Sequence, residues 1–339
     1  MSVHAYTRAN VLGALPELVS QSAGPEAVGQ IFRDQQVPLA LLDRPSTPML
    51  HRDFIGLHAR ASRVAGERCL GLRSGDALGI GGLGYFGRYV GSAPDLERAL
   101  VRARETLQFH ESFSTISVRR DGDDIRFSYR HRDQNAVGWR NIADLTLCVL
   151  IDIVRCFLGQ EWRPKIVELP YQRGPWEGYL EEHFEVPVVF GKPAVAIVFS
   201  QDRLGARSLM QPSLTDHVTY ADVARQGRNL PLDFLGMCTE VIRQRLLSGQ
   251  ADLDGAASKL GLGPRTLQRR LVGEGISYKN LLTGCQRERA TDLLAEDVLS
   301  LTGISTALGY SSQSQFSRAF KQWTGMTPGQ LRKTMKNAA

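Results

Sequence analysis

One short pattern is written twice in the segment after Gln250. Leu260-Gly261-Leu262 is followed by Thr266-Leu267-Gln268-Arg269-Arg270-Leu271, and Leu308-Gly309-Tyr310 is followed by Gln315-Phe316-Ser317-Arg318-Ala319-Phe320. The first elements are offset by 48 residues and the second by 49. A fixed internal period marks a duplicated supersecondary unit, which restricts this segment to a repeated fold. Each copy reads as a helix, a tight glycine turn and a second helix with basic and amide side chains on one side. That is the layout of a helix-turn-helix, whose second helix enters the DNA major groove.

In the first copy Asp252 is placed to cap a helix whose apolar stripe is Leu253, Ala256, Ala257 and Leu260. Gly261-Leu262-Gly263 breaks it, and Pro264 suits the first turn of the next helix, where its missing N–H is not needed. Leu267 and Leu271, four apart, share the buried face. Arg265 and Arg269 then point away from it, flanked by Thr266 and Gln268. Arginine forks guanine and glutamine forks adenine, so this face carries base-reading chemistry.

The second copy repeats the logic. Leu301, Ile304, Ser305 and Leu308 line its first helix, Gly309-Tyr310-Ser311 turns, and Ser312 caps the next helix. Phe316 and Phe320 face inward, so Ser314, Arg318 and Lys321 face outward, with Gln313, Gln315 and Ser317 at their flanks. Gly325 stops the helix and Pro328 follows. Between the copies, Leu281, Leu282, Cys285, Ala290, Leu293 and Leu294 keep helical register from Tyr278 to Ala295. One long helix there predicts reading helices held on one face of the duplex, in successive major grooves about 34 Å apart.

Charge agrees. From Gln250 onward there are twelve Lys/Arg against seven Asp/Glu, an excess of five, whereas the residues before it hold 29 against 28. Phosphate binding requires that the basic excess sit on the repeated segment. Solvation of an ordinary basic surface would look the same on charge alone.

The stretch TLQRRL…SYKNLLTGCQRERATDLL…ISTALGYSSQSQFSRAFKQWTGMTPGQLR resembles the DNA-binding domain of the AraC/XylS family of bacterial transcription regulators over roughly Leu253 to Arg332. The resemblance implies base-facing roles for Arg265, Gln268 and Arg269 in the first unit, and for Gln313, Ser314, Gln315 and Arg318 in the second. Two positions depart from the family pattern. Leu331 stands where tyrosine is frequent. Gly303 stands where a helix-favouring polar residue is usual; a mid-helix glycine costs roughly 1 kcal/mol, which would weaken docking of the second unit or leave it mobile without DNA.

Upstream, the texture from Leu39 to His110 is helical, with Phe54-Leu57-His58-Ala61 and Leu96-Ala99-Leu100-Ala103-Leu107 as apolar stripes and a helix start at Ser92–Leu96. The period then changes. Ser114–Arg119 and Ile125–Tyr129 alternate around Asp121-Gly122-Asp123, predicting a β-hairpin. Trp139–Leu158 predicts a long apolar helix, Ile166–Leu169, Pro187–Phe190 and Val195–Phe199 short strands, and Trp176–His183 a further helix. The fold class is α+β with a small antiparallel sheet, followed by an all-α domain of two helix-turn-helix units joined by a long helix. LGLRSG at Leu70–Gly75, GIGGLGYFG, the hairpin and VPVVFGKPAVAIVFSQDRL at Val186–Leu204 are similar to the arabinose-binding-like N-terminal domain of the ornithine-regulator-like branch of the same family. That likeness implies effector sensing or self-association and names no ligand.

Other signals are bland. Gly79, Gly81 and Gly84 spell G-x-G-x-x-G, but no Val/Ile-rich strand precedes them, so a turn or tight packing is expected rather than a dinucleotide site. His51 and His58 could share a helix face but lack a third ligand at metal spacing. The five cysteines, Cys69, Cys148, Cys156, Cys238 and Cys285, form no C-x-x-C pair and read as reduced thiols. Trp139, Trp162, Trp176, Tyr171 and Tyr179 are pocket candidates or ordinary core. No G-x-S-x-G, H-E-x-x-H or P-loop lysine supports catalysis. No signal peptide is evident, and the apolar stretch Leu145–Leu158 carries Asp152 and Arg155 and is too short for a bilayer.

The expectation is a cytoplasmic, non-enzymatic transcription regulator without cofactor or metal. Residues 1–204 would form an effector-sensing or dimerisation domain, 205–230 a linker and 231–339 the DNA-binding domain. Its partners would be double-stranded operator DNA, a small-molecule effector bound at residues the sequence does not identify, a second copy of the chain in a homodimer, and RNA polymerase as a further candidate; whether it acts as an activator is not legible. Two alternatives stay open: an N-terminal domain serving only dimerisation or protein interaction, and an enzyme with a nucleic-acid-binding tail.

Overall fold

In the computed structural model, which describes residues 4–174, 178–210, 217–228 and 230–338, the chain forms two compact units. One is Ala5–Leu230; the other takes in the chain from Pro231 onward, together with His4.

The N-terminal unit opens with β1 (Tyr6–Arg8), α1 (Leu15–Ala23), α2 (Pro25–Asp34) and β2 (Pro48–Leu50), which pairs antiparallel with β1. Helices α3 (His51–Ala65), α4 (Leu70–Leu78), α5 (Gly84–Gly91) and α6 (Leu96–His110) follow. Then come β3 (Ser114–Asp121), β4 (Asp124–His131), α7 (Trp139–Leu158), β5 (Ile166–Glu168), α8 (Gly178–Phe184), β6 (Val188–Val189), β7 (Val195–Ser200) and α9 (Tyr220–Gly227). The five-stranded sheet runs β3-β4-β7-β5-β6, antiparallel throughout except for the parallel β5–β6 pair. The expected hairpin is there in full, with Ser114 opposite His131 and Asp121 opposite Asp124.

The spine is α7, buried along most of its length, with Ala143, Asp144, Leu147 and Val154 fully inaccessible. Helix α4 lies tight against it, and the LGLRSG segment explains why. A Cβ on Gly71 would fall 2.4 Å from the Asn141 carbonyl oxygen, and one on Gly75 2.8 Å from that of Leu145. Two glycines one turn apart therefore let the helix backbones meet. The G-x-G-x-x-G string is likewise a packing turn. Gly79 ends α4 at φ +51°, the Ile80 amide donates to Asp152 Oδ2 at 2.7 Å, and α5 begins at Gly84. A helix, not a strand, precedes it, so the crevice of a dinucleotide fold is absent here.

Two stretches differ from expectation. The β1–β2 pair carries no sequence signal, because three-residue strands are too short to show alternation. Helices α1 and α2 have Pro16 and Pro25 in their first turns and bury Leu15, Leu18, Val19, Ile31 and Phe32, a signal that the expectation missed. The 205–230 segment, expected as a linker, is ordered where it is described. Arg207 bridges Asp95 across a single ladder rung, and α9 carries a capping box made by Thr219 and Asp222. Val223 is buried, and the Tyr220 ring meets Phe109 of α6 edge-on at 5.7 Å. With one buried apolar residue in eight, α9 has too little period to be read from sequence. Residues 211–216 of the expected linker lie outside the described residues.

The C-terminal unit is all helical: α10 (Phe234–Leu246), α11 (Leu253–Lys259), α12 (Pro264–Gly273), α13 (Tyr278–Glu296), α14 (Leu301–Ala307), α15 (Gln313–Thr324) and α16 (Pro328–Ala338). At 1.5 Å per residue the 19-residue α13 is about 28 Å long. Helix α10 packs on it, with Arg243 bonded to Glu288 at 2.6 Å, and α14 and α16 pack on it as well. Ala290, Leu293 and Leu294 of α13 share one core with Ile304, Leu308, Phe316 and Phe320, and Leu331 packs against that core.

Candidate functional site

Each helix-turn-helix is fixed by its caps. Asp252 accepts the Gly255 amide at 2.6 Å and starts α11; Ser300 accepts the Gly303 amide at 3.0 Å and starts α14. Gly303 is therefore the third residue of a seven-residue helix, matching Gly255, and not the mid-helix glycine expected from its place in the pattern. Both turns pass through a left-handed glycine, Gly261 at φ +63° and Gly309 at φ +78°. Pro264 begins α12, Ser312 accepts the Gln315 amide at 3.3 Å to begin α15, and Gly325 ends α15 at φ +78°.

Leu267 and Leu271 of α12, and Phe316 and Phe320 of α15, are buried. The opposite faces are open. Arg265, Gln268, Arg269, Gln313, Ser314, Gln315, Arg318 and Lys321 are exposed, and Thr266 is half-buried. Neither α12 nor α15 contains a carboxylate, while together they carry Arg265, Arg269, Arg270, Arg318 and Lys321. Elsewhere in this unit Arg243, Arg245, Arg289, Arg332 and Lys336 are held in ion pairs. Arg270 lies over the Phe234 ring at 5.3 Å. Arg265, Arg269 and Lys321 have no hydrogen-bond or ion-pair partner among the described residues. Their charges are free to meet an external anion. The glutamines are oriented from behind: Thr302 donates to Gln313 Oε1 at 2.8 Å and Ser311 to Gln315 Oε1 at 2.7 Å. Each amide nitrogen thus keeps its two donors, the complement of the acceptors that bases and phosphates present.

The upstream candidates divide differently. His51 and His58 are both buried on α3, but the His51 ring stacks on His131 at 3.7 Å and 16°, and Trp139 stacks on His131 at 5.3 Å. His51, His131 and Asp133 bring ligand atoms within 4.8 Å of one another. Stacked imidazoles nevertheless aim their lone pairs in parallel planes, so one ion cannot lie in both, and His131 Nδ1 already accepts the Asp133 amide at 2.9 Å. In a second cluster, Asp76 pairs with His183 at 3.2 Å and holds its pKa up, while burial pushes the nearby Cys148 thiol up. Cys156 is pushed up to about 12 by burial, so these thiols are poor nucleophiles. Tyr171 and Tyr179 both donate to buried Asp144, the second at 3.1 Å; Trp162 packs on Phe199; Trp176 lies outside the described residues. Among the described residues, the aromatic candidates thus divide among Asp144, Phe199 and His131.

Residues 27–207 match the family model described as the arabinose-binding domain of AraC transcription regulators, N-terminal, and residues 256–334 match a helix-turn-helix domain. The chain is 26% identical over 266 residues to the HTH-type transcriptional regulator VirS of Mycobacterium tuberculosis, covering 77% of this chain and 78% of that one. It is 26% identical over 327 residues to the ornithine utilization regulator of Pseudomonas aeruginosa, covering 89% of each. The crystal structure of the transcriptional regulator CdpR from Pseudomonas aeruginosa aligns over 91% of this chain and 97% of its own, at 22% identity and a TM-score of 0.39.

Proposed function

Since the chain belongs to the AraC family of transcription regulators, with an arabinose-binding-like N-terminal domain and a helix-turn-helix C-terminal domain, we propose that α12 and α15 are its two reading helices. Arg265, Thr266, Gln268 and Arg269 face the bases or backbone of one major groove; Gln313, Ser314, Gln315, Arg318 and Lys321 face the next. The observation that carries this is electrostatic: two exposed helix faces with four cations, Arg265, Arg269, Arg318 and Lys321, and no carboxylate, three of those cations unpaired among the described residues. Phosphate contacts supply most of the affinity, and the Arg and Gln side chains supply sequence preference.

The N-terminal unit binds a small-molecule effector that alters DNA affinity. The chain acts as a homodimer in the cytoplasm, where its operator lies. RNA polymerase is a partner at the promoter. Among the described residues no helix is long and apolar enough to cross a membrane. Hydroxyl-radical footprinting on a selected operator tests the core claim. Two protected patches about one helical turn apart on one face are expected, with Arg318→Ala erasing one of them. A single patch, or protection that survives Arg318→Ala unchanged, would refute a two-helix reader. Sedimentation of the free protein and of its DNA complex tests the dimer, and a monomer in both contradicts it.

A further inference from the structure

The N-terminal unit holds a half-open cavity of about 60 Å³ bounded by α3, α4, α6 and α7. Most of its lining is apolar, including Leu78, Phe86, Leu145 and Ile153. Set into that wall are Thr7, His51, Glu111 and Tyr129. All four are buried. Thr7 Oγ1 and His51 Nδ1 have no hydrogen-bond partner, an unfavourable state for buried polar atoms. His51 Nε2 stands 4.0 Å from Glu111 Oε2, and the Tyr129 and Ser114 hydroxyls, 3.1 Å apart, favour the ionised form of the same carboxyl.

Glu111 is the one carboxylate in this lining, and no lysine or arginine accompanies it. The two lining histidines cannot serve as its counter-charge near neutral pH. Burial drives His51 well below its usual value and His110 down to about 3, so both are neutral. The same burial pushes the Glu111 carboxyl up to about 7. A buried carboxylate without a cation is costly, and a guest that brings the cation relieves that cost. An anionic guest would meet Glu111 with nothing to balance it. A purely apolar guest would leave Thr7 and His51 unsatisfied.

Building on the reading of this unit as an effector domain, we propose that the cavity is the effector site and that its ligand is a small primary alkylamine, its ammonium on Glu111 and its hydrocarbon against α4 and α7. A water-sized sphere fills roughly 10–15 Å³ of such space, so the cavity suits a guest of about five heavy atoms. The ammonium N–H groups also supply a donor for Thr7 Oγ1 or for a neutral imidazole nitrogen.

Full-length protein, titrated at pH 7 with n-butylamine, 1-butanol and butyrate at matched ionic strength, tests this by thermal unfolding and by operator affinity. Butylamine is expected to raise the melting temperature and to change operator affinity, with butyrate doing neither. Glu111→Gln should weaken butylamine binding at least tenfold. Val149→Phe, which fills the cavity from its apolar side and keeps Glu111, should abolish the response as well, and decides the matter if the first variant does not fold. Butanol or butyrate binding as tightly as the amine would overturn the ligand class and leave the effector role standing. Stabilisation by the amine with no change in operator affinity would overturn the effector role and leave the site standing. No response to any of the three would overturn the site itself.

Discussion

Gln286, midway along α13, donates from Nε2 to the carbonyl of Leu308 at 2.9 Å, while Tyr310 Oη bonds its Oε1 at 3.2 Å. One buried amide thereby ties the turn of the second helix-turn-helix to the helix that joins the two units. Loss of it strands a helix-terminal carbonyl and a tyrosine hydroxyl. A buried polar group left unsatisfied costs about 1–3 kcal/mol. Gln286→Leu, similar in size, should lower the unfolding free energy of the C-terminal unit by that amount in urea. It should also weaken operator binding. Unchanged stability would show that this bond does not set the unit's rigidity.

The duplicated glycines at the third helical position predict opposite outcomes. A Cβ on Gly303 meets Ser300 Oγ at 3.4 Å and Leu299 Cβ at 3.6 Å, which is little more than van der Waals contact. Gly303→Ala should therefore stabilise the protein by about 0.4–1 kcal/mol through the unfolded chain. A Cβ on Gly255 falls 2.0 Å from Arg245 Nη2, and that guanidinium is nearly buried and bonded to Asp252 at 2.5 Å. Gly255→Ala must displace it, and the lost charged hydrogen bond should destabilise by about 1–2 kcal/mol. Chemical denaturation of the two variants checks the sign at each site.

The same pair shows what was legible in the sequence. Period and spacing revealed two helix-turn-helix units, their caps at Asp252 and Ser312, and the outward faces bearing Arg265, Arg269 and Arg318, because these depend on contacts within a few residues. Gly303 looked mid-helix because the start of a short helix is decided by its cap, Ser300, which a period of 3.6 does not mark. The cavity was invisible for another reason. Thr7, His51, Glu111 and Tyr129 come from separate elements, β1, α3, the end of α6 and β4, and only the fold brings them together. Of the aromatic residues that stood out in sequence, Tyr171 and Tyr179 settled instead against Asp144, Trp162 against Phe199 and Trp139 against His131.

Arg269 and Arg318 occupy matching outward positions on α12 and α15, each two residues past a buried Leu267 or Phe316. If they read bases, Arg269→Ala and Arg318→Ala should each cost about 1–3 kcal/mol on the preferred operator and relax preference at one base position. Lys321→Ala, a phosphate contact by its compact charge, should weaken all sequences alike and reduce the salt dependence of binding by about one charge. Competition binding against randomised operators separates these. Equal loss on every sequence for either arginine would remove it from the base-reading set.

The buried titratable groups of the N-terminal unit make its stability depend on pH in a defined direction. Burial lowers His58 and His131 to about 4 and His110 to about 3, from 6.5. Below pH 6.5 the unfolded chain takes up protons that these folded imidazoles refuse, so stability falls as pH drops toward 4. Glu111 works the other way. Its carboxyl, raised by burial to about 7 from 4.5, gives a contribution complete below pH 4.5 and lost as pH rises through 7. With His51, which burial also drives well below its usual value, four imidazoles outweigh one carboxyl. Each tenfold difference in proton affinity between folded and unfolded chains is worth about 1.4 kcal/mol, so the net loss between pH 6.5 and 4.5 should be on the order of a few kcal/mol. At pH 6.5 the unfolded imidazoles are still half protonated and outweigh the Glu111 decline, so stability goes on rising and levels off above pH 7. Thermal unfolding across pH 4.5–8 should thus show an acid limb that ends in a plateau above 7. His58→Phe should flatten the acid limb by removing one titrating group, and Glu111→Gln should steepen it. An acid limb that His58→Phe leaves unchanged would mean that this imidazole is protonated in the folded protein, against the burial that surrounds it.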